Sequence, residues 1–275
     1  HDVNDKEGIR SNSIYSLLVD DRGAVWVGHF QAGLDYSLYQ NGLFRTYAYP
    51  PLFNSANLSI RSFVNRGQEK VIGSRDGLFY INEVSGVVKS FVKPVLTSDL
   101  ILTISFYQGE YYIGTYGGGM MVLNPGTLSL KYFAQGDTEL FQKGHIFCVK
   151  PDAKGNLWIG TSQGLFCYNG QTKQIKHFTS ANSQLPEGNV YEVSFDSTGK
   201  GWIATETGMC IYDPASQNLR SNVFPEGFVH RDKVRTIYED AEHNLYFIRE
   251  KGSLFTSTLT MDRFQNRSIF STLPD

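Results

Sequence analysis

The side chains of this chain that could do chemistry are scattered and match no common catalytic motif. The six histidines include no zinc-type pair, and no serine sits in a nucleophile elbow. Cys148, Cys167 and Cys210 lack the spacing of a metal site or a disulfide framework, so we expect three small buried strand residues. Asp76 and Glu206 would suit a glycosidase only if their carboxylates lay about 5–10 Å apart. The residue types therefore show no recognisable catalytic motif.

The composition indicates a β-rich protein. The chain has 275 residues with a formal net charge of −2, 14% aromatic residues and 27 glycines. Aromatic residues favour strands, and glycines favour tight turns. The balanced charge offers no basic face for nucleic acid, and no apolar run approaches the roughly 20 residues that span a bilayer. Because the sequence begins at His1 without a Met, we expect a processed or excised segment.

A short motif recurs along the whole chain. It consists of an aromatic or apolar pair followed by a small or apolar residue, and its copies are 41 to 46 residues apart. The copies begin at Trp26, Val71, Tyr112, Trp158, Trp202 and Tyr246. Counted from these first residues, a glycine follows each copy six or seven residues on, and Ile or Val precedes it 11 or 12 residues back. Six copies of one unit follow from this period.

Each copy predicts four short antiparallel strands. Polar turns that begin with Asp20, Asp152, Asp196 or Asp240 separate the first two strands, as expected for type I turns in hairpin loops. Such a unit at this period predicts an all-β fold, a β-propeller of four-stranded blades in a single domain over residues 1–275. The expected blades are approximately 14–47, 60–91, 101–133, 146–178, 190–224 and 234–270.

The tryptophans and glycines of the motif are predicted to be scaffold. Blades pack face to face, so a large ring in the second strand has a neighbouring sheet to pack against. We therefore expect Trp26, Trp158 and Trp202 to wedge between blades. The run Gly117-Gly118-Gly119 is expected to accommodate a turn, because no helix follows it to form a phosphate cradle.

The repeat resembles the two-component regulator propeller repeat. The resemblance rests on residues 146–169, with Leu-Trp-Ile-Gly-Thr, Gly-Leu and a closing Tyr-Asn, and also covers 14–36 and 190–213. The other copies depart from the pattern: Val71 and Tyr112 replace the Trp, and Ile248 replaces the Gly. The fold is well specified by this resemblance, whereas the ligand is not.

The resemblance implies a function that the residues alone do not. Such repeats are known from periplasmic sensor regions of Bacteroidetes hybrid two-component histidine kinases, where they resemble detectors of oligosaccharides. It implies a non-catalytic sensor domain in the extracytoplasmic part of an inner-membrane protein, with the rest of a sensor kinase ectodomain as partner and a homodimer as a further option. Kinase motifs and a membrane helix are not seen in this sequence. The six copies either close a ring or form part of a seven-bladed or tandem propeller.

The candidate ligand site lies on the loops of one face. If the first strand is innermost, the loops that enter it share a face with the loops that join strands two and three. Polar and aromatic groups there would suit a sugar or uronic acid. The candidate binding residues are Arg75, Tyr116, His145, Arg231 and Arg249. No cofactor, metal or catalytic residue is expected. Three alternatives stay open: loop residues that only satisfy local backbone, a propeller enzyme acting on a carbohydrate or lactone, and a protein-interaction scaffold.

Overall fold

The structure is a computed structural model of the chain. It describes residues 8–20, 23–37, 43–46, 58–134, 138–221, 233–249, 254–258 and 264–265. The chain divides into two compact units, His1–Ile146 and Phe147–Asp275. The expectation of one domain over residues 1–275 stays a prediction.

The first unit contains three four-stranded antiparallel sheets, each with its strands in sequence order. Sheet 1 comprises β1 (Ile14–Val19), β2 (Val25–His29), β3 (Leu34–Ser37) and β4 (Phe44–Thr46). Sheet 2 comprises β5 (Ile60–Arg66), β6 (Glu69–Ser74), β7 (Leu78–Asn82) and β8 (Val87–Phe91). Sheet 3 comprises β9 (Ile101–Tyr107), β10 (Glu110–Thr115), β11 (Met120–Asn124) and β12 (Ser129–Tyr132), and the helix α1 (Thr138–Lys143) follows it.

The second unit repeats the same arrangement. Sheet 4 comprises β13 (Ile146–Pro151), β14 (Asn156–Thr161), β15 (Gly164–Asn169) and β16 (Ile175–Phe178). Sheet 5 comprises β17 (Val190–Phe195), β18 (Gly201–Thr205), β19 (Gly208–Asp213) and β20 (Asn218–Arg220). Sheet 6 comprises β21 (Val234–Glu239), β22 (Asn244–Arg249), β23 (Leu254–Thr258) and β24 (Phe264–Gln265). The all-β propeller of four-stranded antiparallel blades is confirmed, while the number of blades in a complete ring stays a prediction.

An aspartate clamp closes the hairpin between the first two strands in four of these sheets. In sheet 4, Asp152 Oδ1 accepts hydrogen bonds from the backbone N–H groups of Lys154 (2.9 Å) and Asn156 (2.8 Å), and Asp152 Oδ2 accepts one from Trp158 Nε1 (2.9 Å). The equivalent ring bonds run from Trp26 to Asp20, from Trp202 to Asp196 and from Tyr246 to Asp240, at 3.0, 2.8 and 2.8 Å. The sequence predicted the turn but not this bond to the ring six residues later.

The clamp holds each tryptophan between two sheets, as predicted. The ring of Trp158 is buried, and its centroid lies 4.5 Å from that of Tyr212 and 6.0 Å from that of Phe195, both in sheet 5. It also stacks on Phe178 of its own sheet, with 5.9 Å between the ring centroids. The ring centroid of Trp26 lies 6.3 Å from that of Phe63 in sheet 2, and the ring centroid of Trp202 lies 5.7 Å from that of Phe247 in sheet 6. Three large rings thus link consecutive sheets within each unit.

The short hairpins of sheets 2 and 3 replace the Asp-led turn with two residues. In sheet 3 the loop is Gln108-Gly109, whose φ angles of 47° and 86° fit a type I′ turn. In sheet 2 the loop is Gly67-Gln68, because Arg66 still pairs with Glu69 in the ladder. In sheet 3 the type I′ twist matches that of the flanking strands, so that hairpin needs no side-chain clamp.

The three cysteines are free thiols within strands, and the expectation of burial is confirmed for Cys148 and Cys210 but not for Cys167. Cys148 and Cys210 are buried, and Cys167 is partly exposed. Burial raises the pKa of the Cys148 and Cys210 thiols, and burial followed by the charge of Asp152 raises the pKa of Cys167 to about 12. All three thiols are therefore protonated and weakly nucleophilic at neutral pH.

Candidate functional site

The predicted meeting of two loop sets on one face is present in four sheets. In each, a residue of the loop between strands two and three donates its backbone N–H to a residue that enters strand one. The pairs are Phe30 to Ser13, Arg75 to Ser59, Tyr116 to Leu100 and Glu206 to Asn189, at 2.8, 3.1, 3.0 and 2.9 Å. First strands of neighbouring sheets also lie against each other within each unit. The loops that were predicted to share a face therefore do so.

Two of the predicted site residues form an aromatic pair on this face of the first unit. Tyr116 follows β10, and His145 precedes Ile146 at the start of β13. Their ring centroids are 4.0 Å apart at an interplanar angle of 31°. Tyr116 is 50% exposed and His145 is partly buried. The two rings face each other, and part of the Tyr116 ring stays open to solvent.

The three glycines after Tyr116 allow this pair to form. Gly119 has a φ of 71°, and a Cβ there would collide with the backbone of Phe141 at the end of α1. Its N–H donates to the carbonyl of Gly144 (2.9 Å), so the loop is fastened to the segment that leads into His145. Gly117 has a φ of 77°, a backbone conformation that favours glycine, and a Cβ there would make an ordinary contact of 3.7 Å with the His145 ring. The turn prediction for the glycine run is confirmed.

Arg75 occupies in sheet 2 the position that Tyr116 occupies in sheet 3. Each is the second residue after the glycine of its second strand, Gly73 or Gly114. The Arg75 side chain is exposed, and its backbone is bonded to Ser59. The structure therefore places Arg75 on the same face in the same unit as the aromatic pair, but in the adjacent loop.

For the other two predicted residues, Arg231 and Arg249, the structure describes no contact with this pair. Arg231 lies outside the described residues. Arg249 is the last residue of β22, paired with Val234, and its side chain is not described. In sheets 2 to 5 this register position holds a buried hydroxyl residue that donates to the glycine carbonyl of the next turn: Ser74, Thr115, Thr161 and Thr205. The roles of Arg231 and Arg249 stay predictions.

Sheet 1 carries a buried charged cluster that the sequence did not predict. Asp35 Oδ1 accepts a hydrogen bond from Arg10 Nε at 2.8 Å, and its Oδ2 accepts one from the Arg10 backbone N–H at 2.9 Å. Asp35 Oδ2 also lies 2.9 Å from His29 Nε2, and both of these residues are buried. The equivalent strand position is apolar in the next four sheets: Phe79, Met121, Phe166 and Cys210. That departure from the repeat was the available signal. The cluster anchors the segment entering sheet 1.

The second unit has an aromatic and basic cluster where sheets 5 and 6 begin. Arg235 and Lys233 lie 4.6 and 4.9 Å from the ring centroid of Tyr191, and Phe147 meets the same ring at 5.1 Å. The Tyr191 hydroxyl accepts a hydrogen bond from Asn189 Nδ2 at 3.0 Å. These contacts stabilise the entering strands through cation–π attraction.

A polar groove of about 460 Å³ lies between the outer strands β16 and β20 of the same unit. Its amide groups are already engaged: Asn182 Nδ2 donates to the His177 carbonyl (3.0 Å), and Gln184 Oε1 accepts from the Ser221 backbone N–H (3.2 Å). His177 stacks on Phe166 at 3.9 Å. These hydrogen bonds cover the edge of the sheet, so the two amide groups are not free to bind a ligand.

The two carboxylates considered for glycosidase chemistry belong to different units. Asp76 is exposed after β6, in the first unit, and Glu206 follows β18 in the second. Glu206 Oε2 accepts the backbone N–H of Asn189 at 3.4 Å, a local structural contact. Among residues the structure describes, no group of three His, Cys, Asp or Glu side chains could hold a metal ion.

The four-stranded sheets define a β-propeller fold, and the candidate binding residues Arg75, Tyr116 and His145 lie on loops of one face of the first unit. The family described as two component regulator propeller matches residues 8–31 and 141–163. These segments contain the opening strands of sheets 1 and 4, so the resemblance to that repeat is confirmed. No curated protein matches the chain.

Solved structures of similar fold come from bacterial surface and signalling proteins. One is the extracellular domain of the putative hybrid two component system BT3049 from B. thetaiotaomicron, with 22% identity, 91% of this chain and 34% of that chain covered, and a TM-score of 0.74. Another is the extracellular domain of the putative one component system BT4673 from the same organism. It has 17% identity, the match covers 91% of this chain and 39% of that chain, and the TM-score is 0.62. A third is PorZ, a surface component of the type-IX secretion system of Porphyromonas gingivalis. It has 16% identity, the match covers 88% of this chain and 38% of that chain, and the TM-score is 0.66.

At these identities the likeness shows the fold alone. The chain spans little more than a third of the length of these solved chains. A helix long and apolar enough to cross a membrane is not found among the described residues.

Proposed function

We propose that this chain is a non-catalytic sensor domain of a two-component system. In this proposal it binds an oligosaccharide in the periplasm, and the remaining ectodomain passes the signal to a membrane histidine kinase. The match to the regulator propeller family and the likeness to extracellular domains of two-component systems support the sensor role. A second copy of the chain is a further candidate partner.

The observation that carries the ligand class is the exposed Tyr116–His145 pair. The exposed part of the Tyr116 ring, held in place by His145, would suit the apolar face of a sugar, whose hydroxyls would then be met by polar loop groups. Arg75, in the adjacent loop, would meet a carboxylate of a uronic acid through a charge-assisted bond. Arg231 and Arg249, in the second unit, remain candidate binding residues on the sequence evidence alone. No covalent step is assigned to any residue.

The test is a melting experiment with a panel of plant and host-glycan oligosaccharides, read together with product formation in the same wells. A raised melting temperature with intact sugar supports the proposal, because a ligand that binds only the folded state stabilises it. New product from the sugar would contradict the non-catalytic role, and variants of Asp76 and Glu206 would then be examined.

Tyr116→Ala and Tyr132→Ala form a matched pair for locating the site. Both tyrosines are about half exposed, but Tyr132 lies on the outer strand of sheet 3, away from the loop face. We expect Tyr116→Ala to weaken binding about tenfold, or ~1.4 kcal/mol, and Tyr132→Ala to leave binding unchanged. Equal effects of the two variants would contradict the proposed platform.

A further inference from the structure

The groove between the outer strands of sheets 4 and 5 combines an apolar floor with polar walls. It encloses about 460 Å³ and is lined by residues of β16, of β20 and of the segments that follow β16 and precede β20. Phe178 and Leu219 form the floor, since both are at most 5% exposed and belong to one apolar cluster of the two sheets. A volume of this size suits a small molecule.

Two positive charges line this groove, and none of the described residues that form its walls is Asp or Glu. Lys176 Nζ lies 4.7 Å from the ring centroid of Phe178, and no ion pair with a described carboxylate is seen for it. Arg220 Nη2 lies 3.5 Å from Asp213 Oδ2, longer than the roughly 2.7–2.9 Å of a charge-assisted hydrogen bond. Asp213 also accepts a hydrogen bond from the Ala215 backbone N–H at 2.9 Å, which holds it in its own turn. Both cations can therefore bind an anion that enters the groove.

The lysine of this groove recurs in the repeat, but in sheet 3 its charge is neutralised. A lysine two residues before a phenylalanine occurs on the outer strand of three sheets: Lys89, Lys131 and Lys176. In sheet 3, Lys131 Nζ lies 3.2 Å from Oε1 of Glu110, the first residue of β10. The first residue of β14 is Asn156, so sheet 4 keeps the lysine without that acid. The positive charge of the groove therefore results from a difference between the repeats and not from the repeat itself.

The walls of the groove are held by contacts of their own. His177 stacks flat on Phe166, and its Nε2–H donates to the Gln163 carbonyl at 2.9 Å, since a carbonyl oxygen can only accept. Asn182 Oδ1 accepts the backbone N–H of Thr179 at 2.8 Å, in addition to the bond that its amide donates. A site that is preformed in this way binds its ligand at a smaller entropic cost.

We propose that this groove binds a small organic polycarboxylate. Lys176 and Arg220 bind its carboxylates through charge-assisted hydrogen bonds, and its carbon skeleton covers the apolar floor of Phe178 and Leu219. An inorganic anion would match the charge but not the floor, and a monocarboxylate would leave one cation without a partner. The groove lies on outer strands of the second unit, so this binding is independent of the loop face assigned to the sugar.

Isothermal titration calorimetry of the 275-residue chain with citrate, in metal-free buffer of low ionic strength, tests the proposal. Acetate and inorganic phosphate are titrated in parallel to separate a polycarboxylate from a single carboxylate and from a plain anion. Lys176→Met and Arg220→Met remove one charge each and keep an unbranched apolar stem. Lys89→Met is the matched control, because Lys89 Nζ also lies over a ring, 5.1 Å from the Phe91 centroid, but in sheet 2. Melting temperatures establish that every variant is folded.

We expect citrate to bind, and Lys176→Met and Arg220→Met each to weaken its binding at least about fivefold, whereas Lys89→Met changes it less than about twofold. Acetate and phosphate should bind at least about tenfold more weakly than citrate. Absence of citrate binding at millimolar concentration would mean that the two cations form no site. An equal loss with Lys89→Met would mean adsorption to general surface charge, and phosphate binding as tight as that of citrate would mean a plain anion site. Each of these three results overturns the proposal.

Discussion

At Asp196 one carboxylate holds both its own turn and the ring of the strand that follows. It accepts hydrogen bonds from the backbone of Thr198 (2.9 Å) and Lys200 (3.0 Å) and from Trp202 Nε1 (2.8 Å). The indole is buried, so its N–H has no access to water once this acceptor is lost. The turn and the packing between sheets therefore depend on the same side chain.

Asp196→Ala is expected to lower the free energy of unfolding by about 1–3 kcal/mol, because it leaves a buried indole N–H unpaired. The matched background is Trp202→Phe, which has no N–H to satisfy. In that background the cost of Asp196→Ala should fall by about 1 kcal/mol, as measured by a double-mutant cycle in denaturant. The clamp would be refuted by equal costs in both backgrounds.

Trp158→Ala is expected to cost about 3–5 kcal/mol in denaturant unfolding, since it removes a ring packed against two sheets and leaves a cavity. Tyr238→Ala is the control, because Tyr238 is also an aromatic strand residue but is mostly exposed. Its cost should stay within about 0.5 kcal/mol. A cost of Trp158→Ala below about 1 kcal/mol would contradict the wedge role.

At the scale of elements, the strands were predictable from the sequence, whereas helix α1 was not. Strand β16 coincides with the predicted run at 175–178, because aromatic and branched residues between turn signals have few alternatives. Helix α1 has six residues, too few to show a helical period. It nevertheless matters for the candidate site, since its last turn faces Gly119 and leads into His145.

Gly119→Ala and Gly109→Ala separate two effects of adding a methyl group. Both glycines have positive φ, but a Cβ at Gly109 meets nothing within 4 Å, whereas one at Gly119 meets the backbone of Phe141. Gly109→Ala should therefore cost about 1–2 kcal/mol from backbone strain alone. Gly119→Ala should cost more and should also weaken sugar binding, by shifting His145 away from Tyr116. Equal stabilities of the two variants would contradict the close packing of α1.

At the scale of the molecule, the repeat could be predicted from the sequence, whereas the candidate binding site could be predicted only in part. Six registers that agree in glycine, aromatic and branched positions leave little choice of fold. Tyr116 and His145 were both among the predicted residues, but their stacking depends on α1 and on a glycine loop, which local patterns do not reveal. Asp35 was missed because a single departure from a degenerate repeat carries little weight without its partners Arg10 and His29.

Repeated sheets that contact chiefly their sequence neighbours should also lose structure locally. In such architectures stability is roughly a sum of repeat and nearest-neighbour interface energies. Trp26 belongs to the interface of sheets 1 and 2, and Trp158 to that of sheets 4 and 5. Alanine at Trp26 should therefore accelerate amide hydrogen exchange first in β1–β8, and alanine at Trp158 first in β13–β20.

Native-state exchange with mass spectrometric readout resolves these two pairs of sheets. Each variant is the control for the other, since the chemical change is the same and only the interface differs. We expect reciprocal patterns, with amides of the unsubstituted pair retaining the protection of the parent chain under mild conditions. If either variant accelerated exchange uniformly across all six sheets, the molecule would unfold as one cooperative body, and the neighbour-by-neighbour account of its stability would be wrong.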